Sequence, residues 1–310
     1  MKNALLILTF FFFVSFSFSQ SNFATTDTNY INLVDKAFGF LKKGECRVCI
    51  DAYEQAFEIS QRSILSRLRA ASCAFSCKDN AKWNRHLNFA IEKDWATAEN
   101  ILKDPYNQYL ELTKLRDTDF YNTAFSMIKE IKLKSGYDEV LAAELDIILK
   151  DDQELRQKLS NITTEEERIS TWNKISELDG INLKKIEKII EKHGYPGKSK
   201  VGAQSSTAFL VIQHSELAYQ EKYFPLLEKA ANEGEINKSE LALLIDRIKM
   251  SKGEKQIYGS QVVDNNGKWE FSPIEDEENV NKRGADVGLG PIEEYAKYFN
   301  IEYKYIKKQD

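Results

Sequence analysis

Glu45-Cys46-Arg47-Val48-Cys49-Ile50-Asp51-Ala52-Tyr53-Glu54-Gln55-Ala56 is the stretch on which the reading of the fold turns. The segment around it repeats: Ile31 to Ser60 lies over Ile64 to Asp94 with an offset of 34 residues. Ala37 then falls on Ala71, Tyr53 on Leu87 and Ala56 on Ala90, and Gly44 and Lys78 stand at corresponding turns between helices. Small residues at matched places let paired helices approach closely, and each helical hairpin must bury its apolar face on a neighbour. A generic helical bundle with a chance repeat is the competing reading.

Self-similarity at 34 residues is the tetratricopeptide period. The first copy resembles that family, with Ala37, Phe40, Gly44, Tyr53 and Ala56 where it wants small or aromatic residues, and Glu45 to Ala56 resembling its second helix. The second copy departs from the pattern, with Trp83 at a position usually small and Arg67 at one usually aromatic. The resemblance implies stacked helical hairpins over residues 28–104 that dock a protein or peptide partner.

All four cysteines sit in this repeat pair, as Cys46-x-x-Cys49 and Cys73-x-x-x-Cys77. An antiparallel helix pair turning near Arg62 sets Cys46 opposite Cys77 and Cys49 opposite Cys73. In an oxidising compartment this favours two disulfides, provided the Cα separations fall within about 4.4 to 6.8 Å. Four cysteines permit three pairings, and a four-thiolate zinc site or plain buried thiols would use the same clustering. A redox-catalytic Cys-x-x-Cys lacks the βαβ setting it needs.

The compartment is read from the N-terminus. Lys2 precedes an unbroken apolar stretch, Ala4 to Val14, which runs into Ser15 to Gln20. A membrane-spanning helix needs about 20 apolar residues, so the run is short for an anchor and has the layout of a cleavable signal peptide over residues 1–19. Ser17 and Ser19 supply the small residues before the cut. The mature chain is expected outside the cytoplasm, periplasmic or secreted, with no membrane span after cleavage; an uncleaved anchor is the alternative. The net charge of -5, with Lys and Glu interleaved, gives no concentrated cationic surface for nucleic acid or an anionic membrane.

Downstream the chain reads as mainly α: a helical connector over 105–182, then an α-rich C-terminal domain over 183–310 with one β-hairpin. Phe125, Ile128 and Ile131, then Val140, Leu141, Leu145, Ile148 and Leu149, recur at helical spacing. Asp264-Asn265-Asn266-Gly267 between two short β-type runs signals the hairpin. The segment Leu183 to Phe299 resembles a bacterial domain of unknown function, often exported. The motifs that carry the likeness are His193-Gly194-Tyr195-Pro196, Gln213-His214, Asp246-Arg247 and Tyr258-Gly259-Ser260-Gln261, followed by Pro273-Ile274-Glu275-Asp276 and Arg283. It departs at Gly284, where a second Arg is expected beside Arg283. The resemblance implies no reaction.

Chemistry is therefore argued from residue types. If their side chains converge, His193 or His214 with Asp246 and Arg247 would form a catalytic group, a histidine base beside a carboxylate with an arginine for an anion. Gln213, Tyr258, Gln261, Glu275, Asp276 and Arg283 are the candidate ligand-binding residues. In the alternative, Asp246 and Arg247 pair with different neighbours, His193 closes a helix, and Gln213 and Tyr258 are satisfied core hydrogen-bonders. No cofactor is expected, and no ligand spacing for a metal, nucleophile elbow or phosphate loop occurs. Two functions follow: an exported binding or scaffold protein with a small-molecule ligand, or an exported hydrolase or lyase.

Overall fold

The computed structural model describes residues 27–104, 107–265 and 267–303, so the expected signal peptide and its cleavage site lie outside the described residues. The chain is mainly α. In order run α1 (Thr28–Lys43), α2 (Cys46–Ile59), α3 (Ile64–Ser76), α4 (Asn80–Lys103), α5 (Leu110–Thr113), α6 (Asp119–Ser135), α7 (Glu139–Lys158), α8 (Glu165–His193), α9 (Lys198–Val201), α10 (Ser205–His214), α11 (Leu217–Asn232) and α12 (Lys238–Ser251). The hairpin β1 (Val262–Asn265) and β2 (Lys268–Phe271) follows, then α13 (Val280–Val287) and α14 (Ile292–Lys297). Two compact units divide these elements. The N-terminal unit holds the described residues up to Ala142 with Gly197–Ser205; the C-terminal unit holds Ala143–Pro196 and everything from Ser206. The stretch read as a connector is thus shared between them.

In the N-terminal unit α1 with α2 and α3 with α4 are joined by turns at Gly44 and Lys78. Gly44 turns the first at φ 75, with its N–H on the Leu41 carbonyl and the Glu45 N–H on Phe40. Thirty-four residues on, Lys78 does the same at φ 59, with bonds from Lys78 N to Phe75 O and Asp79 N to Ala74 O. The backbone of α4 leaves the helical region at Asp94 (φ -157, ψ 82), whose carboxylate then caps a new turn through the Thr97 N–H at 3.0 Å. Its first part therefore matches α2 in extent. Ala37, Ala56, Ala71 and Ala90 are all fully buried, which allows the close helix approach that small residues permit.

The two departures from the repeat pattern are packed rather than tolerated. Trp83 meets Phe75 edge-on at 5.5 Å and lies 6.1 Å from Phe120. The guanidinium of Arg67 stacks between Phe57 and Phe89, 3.8 and 4.1 Å from their ring centres, so a planar cation fills an aromatic's place. The cysteines join α2 to α3 in the pairing favoured above, Cys46 to Cys77 and Cys49 to Cys73, with Cα separations of 5.6 and 6.1 Å. No thiol remains free.

In the C-terminal unit, Thr164 caps α8, accepting the Glu167 N–H at 3.4 Å, with Glu165, Glu166 and Glu167 in the first turn where the helix dipole favours acids. A capping box of Asn237 and Glu240 opens α12, and Ser239 lies within its first turn instead of capping it. The hairpin pairs Val262 with Phe271 and Asn265 with Lys268. No helix among the described residues is long and apolar enough to cross a membrane.

The matched turns differ in one respect with a measurable consequence. A side chain in the left-handed region costs about 1 kcal/mol relative to glycine. Lys78→Gly should raise stability in urea unfolding by about 0.5–1 kcal/mol, and Gly44→Ala should lower it by a similar amount. Equal effects of the same sign would show that the two turns are not equivalent.

Candidate functional site

The C-terminal unit buries charge where helical periodicity calls for apolar residues. On α7 the inward stripe runs Leu145, Ile148, Asp152 and Arg156, with Leu159 just beyond its end; on α8 it runs Ile175, Asp179, Asn182, Ile186. The apolar helix α10 ends at Gln213-His214, with Gln213 fully buried. Taking an ion out of water costs several kcal/mol, so these groups must find one another.

They do so as one network. Arg156 Nη2 donates to both oxygens of Asp179 at 2.8 and 2.7 Å, and its Nη1 donates to the Asp152 carbonyl at 2.8 Å and lies 3.5 Å from the Asp152 carboxylate. His214 Nδ1 sits 3.0 Å from Asp152 Oδ1, and Gln153 Nε2 donates to the other oxygen at 2.7 Å. Asp152 and His214 side chains are 1% and 4% exposed. Burial alone would raise the Asp152 carboxyl, but His214 and Arg156 outweigh it and hold it below the ordinary carboxylate range. Burial pushes the His214 imidazolium down despite Asp152, with Arg156 and Arg247 repelling it as well. Asp152 thus orients the imidazole through its Nδ1.

Arg247, buried on α12, faces the same field: burial and repulsion from Arg156 bring its pKa down to about 9. Two guanidinium groups and two carboxylates leave the network near neutral. The same helices carry buried polar atoms without a hydrogen-bond partner: both amide atoms of Gln213, Nδ2 of Asn182 and Nε1 of Trp172. Trp172 and Asn182 share the Asp179 stripe of α8, seven residues before and three after it. Each unmade bond costs about 1–3 kcal/mol, which a polar ligand bearing acceptors would recover. Asp152, Asp179 and His214 also bring one potential metal-ligand atom each to within 4.8 Å of one another. Arg156 already bridges the two carboxylates, so a metal cation would compete with it.

The other residues singled out by sequence fall elsewhere. His193 ends α8, fourteen residues beyond Asp179, or about 21 Å along the helix axis, so the two histidines do not form one catalytic group. Asp246 spends its carboxylate on the N–H groups of Ile257, Tyr258 and Ser260, at 2.6, 3.0 and 3.0 Å. Asp246 and Arg247 thus serve different neighbours. Arg283 donates to the carbonyls of Ile257, Glu275 and Asp276 and to the Asp276 carboxylate, and Gln261 bonds Ser260 Oγ and, through its N–H, Gln256 Oε1. Tyr258 is positioned by Asp246, and Glu275 and Asp276 are exposed. These residues knit the loop before the hairpin. Sequence reasoning missed Asp152, Gln153, Arg156, Asp179 and Asn182; the available signal was a pair of polar residues interrupting an otherwise apolar helical stripe, Asp152 and Arg156 on one helix and Asp179 and Asn182 on the next.

Removing Arg156 would leave two buried carboxylates uncompensated, which costs about 3–5 kcal/mol. Arg156→Met should lose that much in urea unfolding at pH 7. Burial already raises the Asp179 carboxyl with Arg156 in place, and without the guanidinium Asp179 rises further and Asp152 loses part of what holds it low, so the loss should shrink as pH falls through the carboxylate range. A pH-independent loss would place the effect in packing alone.

No curated protein and no solved structure matches the chain. Residues 139–308 match a family of unknown function, DUF6624. The match begins with the first residue of α7, upstream of Leu183, and takes in Asp152, Arg156, Asp179, His214 and Arg247. With more than half of the chain matched, this protein belongs to the DUF6624 family of unknown function.

Proposed function

We propose that the chain is an exported binding protein whose C-terminal unit recognises a small polar ligand and whose tetratricopeptide-like helices dock a protein or peptide partner. The observation that carries the ligand reading is Gln213, fully buried with neither amide atom hydrogen-bonded, next to the network of Asp152, Arg156, Asp179 and His214. A core built for stability alone gains nothing from an idle buried amide. Export is supported by the N-terminal sequence and by two disulfides, which persist in oxidising compartments.

A second reading, an exported hydrolase or lyase, is favoured by one contact. His214 Nδ1 against Asp152 Oδ1 at 3.0 Å orients an imidazole as a general base does, with Asp152 in the role first assigned to Asp246. Turnover of broad hydrolase substrates by wild type and His214→Ala separates the two readings, since equal rates remove any catalytic role for the imidazole.

The binding reading is tested at Gln213. In Gln213→Leu the free chain should unfold at the same urea concentration as wild type or higher. Thermal shifts given to wild type by small carboxylates, phosphates or amino acids should vanish. A variant that unfolds earlier and keeps those shifts would assign the amide to folding.

A further inference from the structure

The two disulfides of the N-terminal unit are in different surroundings. Cys49 and Cys73 are fully buried among the core side chains, whereas Cys46 and Cys77 are partly exposed. Cys77 lines a cavity of about 360 Å³ together with the cations Arg47, Lys78 and Lys82 and the acids Asp51 and Asp79. Lys82 is engaged by Glu54 at 3.0 Å, and Asp79 accepts the Lys82 N–H. Arg47, Lys78 and Asp51 make no ion pair among the described residues. The wall thus offers two cations and one carboxylate beside a sulfur, which complements a small zwitterionic molecule with excess negative charge.

We infer that the Cys46–Cys77 bond is a thiol-exchange site for a small anionic peptide thiol, which attacks Cys77 and becomes attached there. The thiolate sulfur bonds to Cys77 Sγ, the Cys46–Cys77 bond breaks, and the electron pair leaves on Cys46 as its thiolate. One disulfide is consumed and one mixed disulfide formed, with no further oxidant or reductant. Cys46 is suited to leave because it is the first residue of α2, where the helix dipole favours a thiolate, and Glu45 makes no side-chain capping bond to the N–H groups there. The buried Cys49–Cys73 bond, spanning 24 residues inside the 31 of the outer one, keeps α2 joined to α3 when the outer bond opens. The repeat unit therefore takes a covalent adduct at one turn without losing its core.

The native disulfide-bonded chain is incubated with reduced glutathione, quenched with acid and alkylating agent, and peptide-mapped by mass spectrometry. The adduct is expected on Cys77, with Cys46 alkylated and Cys49–Cys73 intact. An adduct on Cys46, simultaneous opening of both bonds, or no adduct on the folded chain would overturn the proposal. 2-Mercaptoethanol, which carries no charge besides its thiolate, supplies the second arm. Arg47→Glu with Lys78→Glu should slow exchange with glutathione by about tenfold and with 2-mercaptoethanol, whose thiolate carries a single negative charge, by much less, and added salt should slow glutathione more than 2-mercaptoethanol on the wild-type chain. Equal slowing of both thiols, or no salt effect, would remove the cavity's role.

Discussion

Arg156 lying between Asp152 and Asp179 is the interaction that constrains how the helices of the C-terminal unit pair. A guanidinium in a dry interior has to be matched in charge and hydrogen bonding, and here the match comes from α7 itself, from α8 and, through Asp152, from His214 at the end of α10. That requirement fixes the register of α7 against α8 more tightly than apolar contact alone, because a slip of one residue would bury an unpaired ion. It also explains why the second half of the apparent connector belongs to the C-terminal unit: its charges are complete only with residues beyond Ser206.

The N-terminal unit is held on different principles. Buried alanines bring helices close, the disulfides join α2 to α3, and buried cations lie on π-faces, Arg67 between Phe57 and Phe89 and Arg69 on Phe38, with Arg69 also paired to Glu111. His86 shows the price of that choice: burial, with Arg67 and Arg85 nearby, lowers its pKa to about 4, so as a neutral ring it accepts the Arg67 Nη1–H at Nδ1, 3.0 Å away. One unit thus isolates ionised groups in a closed network, while the other uses cations as stacking elements.

The helices, the turns at Gly44 and Lys78, the cysteine pairing and the hairpin at Asp264 to Gly267 were legible because each is encoded in spacing or in local turn chemistry. The network was only half legible. His214, Gln213 and Arg247 stood out by type, but Asp152, Arg156 and Asp179 look like the solvated charges any amphipathic helix carries, and only tertiary packing decides that they face inward. The converse error arose at His193, Asp246 and Arg283, where chemically versatile side chains close a helix or hold a loop's backbone. Proximity in sequence to a motif did not place them with His214.

A buried ion network contributes little stability relative to well-packed apolar residues, and the proposed recognition role rests on that difference. The direct measurement is the urea-unfolding free energy of a chain carrying Asp152→Leu, Arg156→Met, Asp179→Leu and His214→Leu together. Stability equal to or above that of the wild-type chain is the predicted result. A loss of about 3 kcal/mol or more would make the network a folding element and contradict the account.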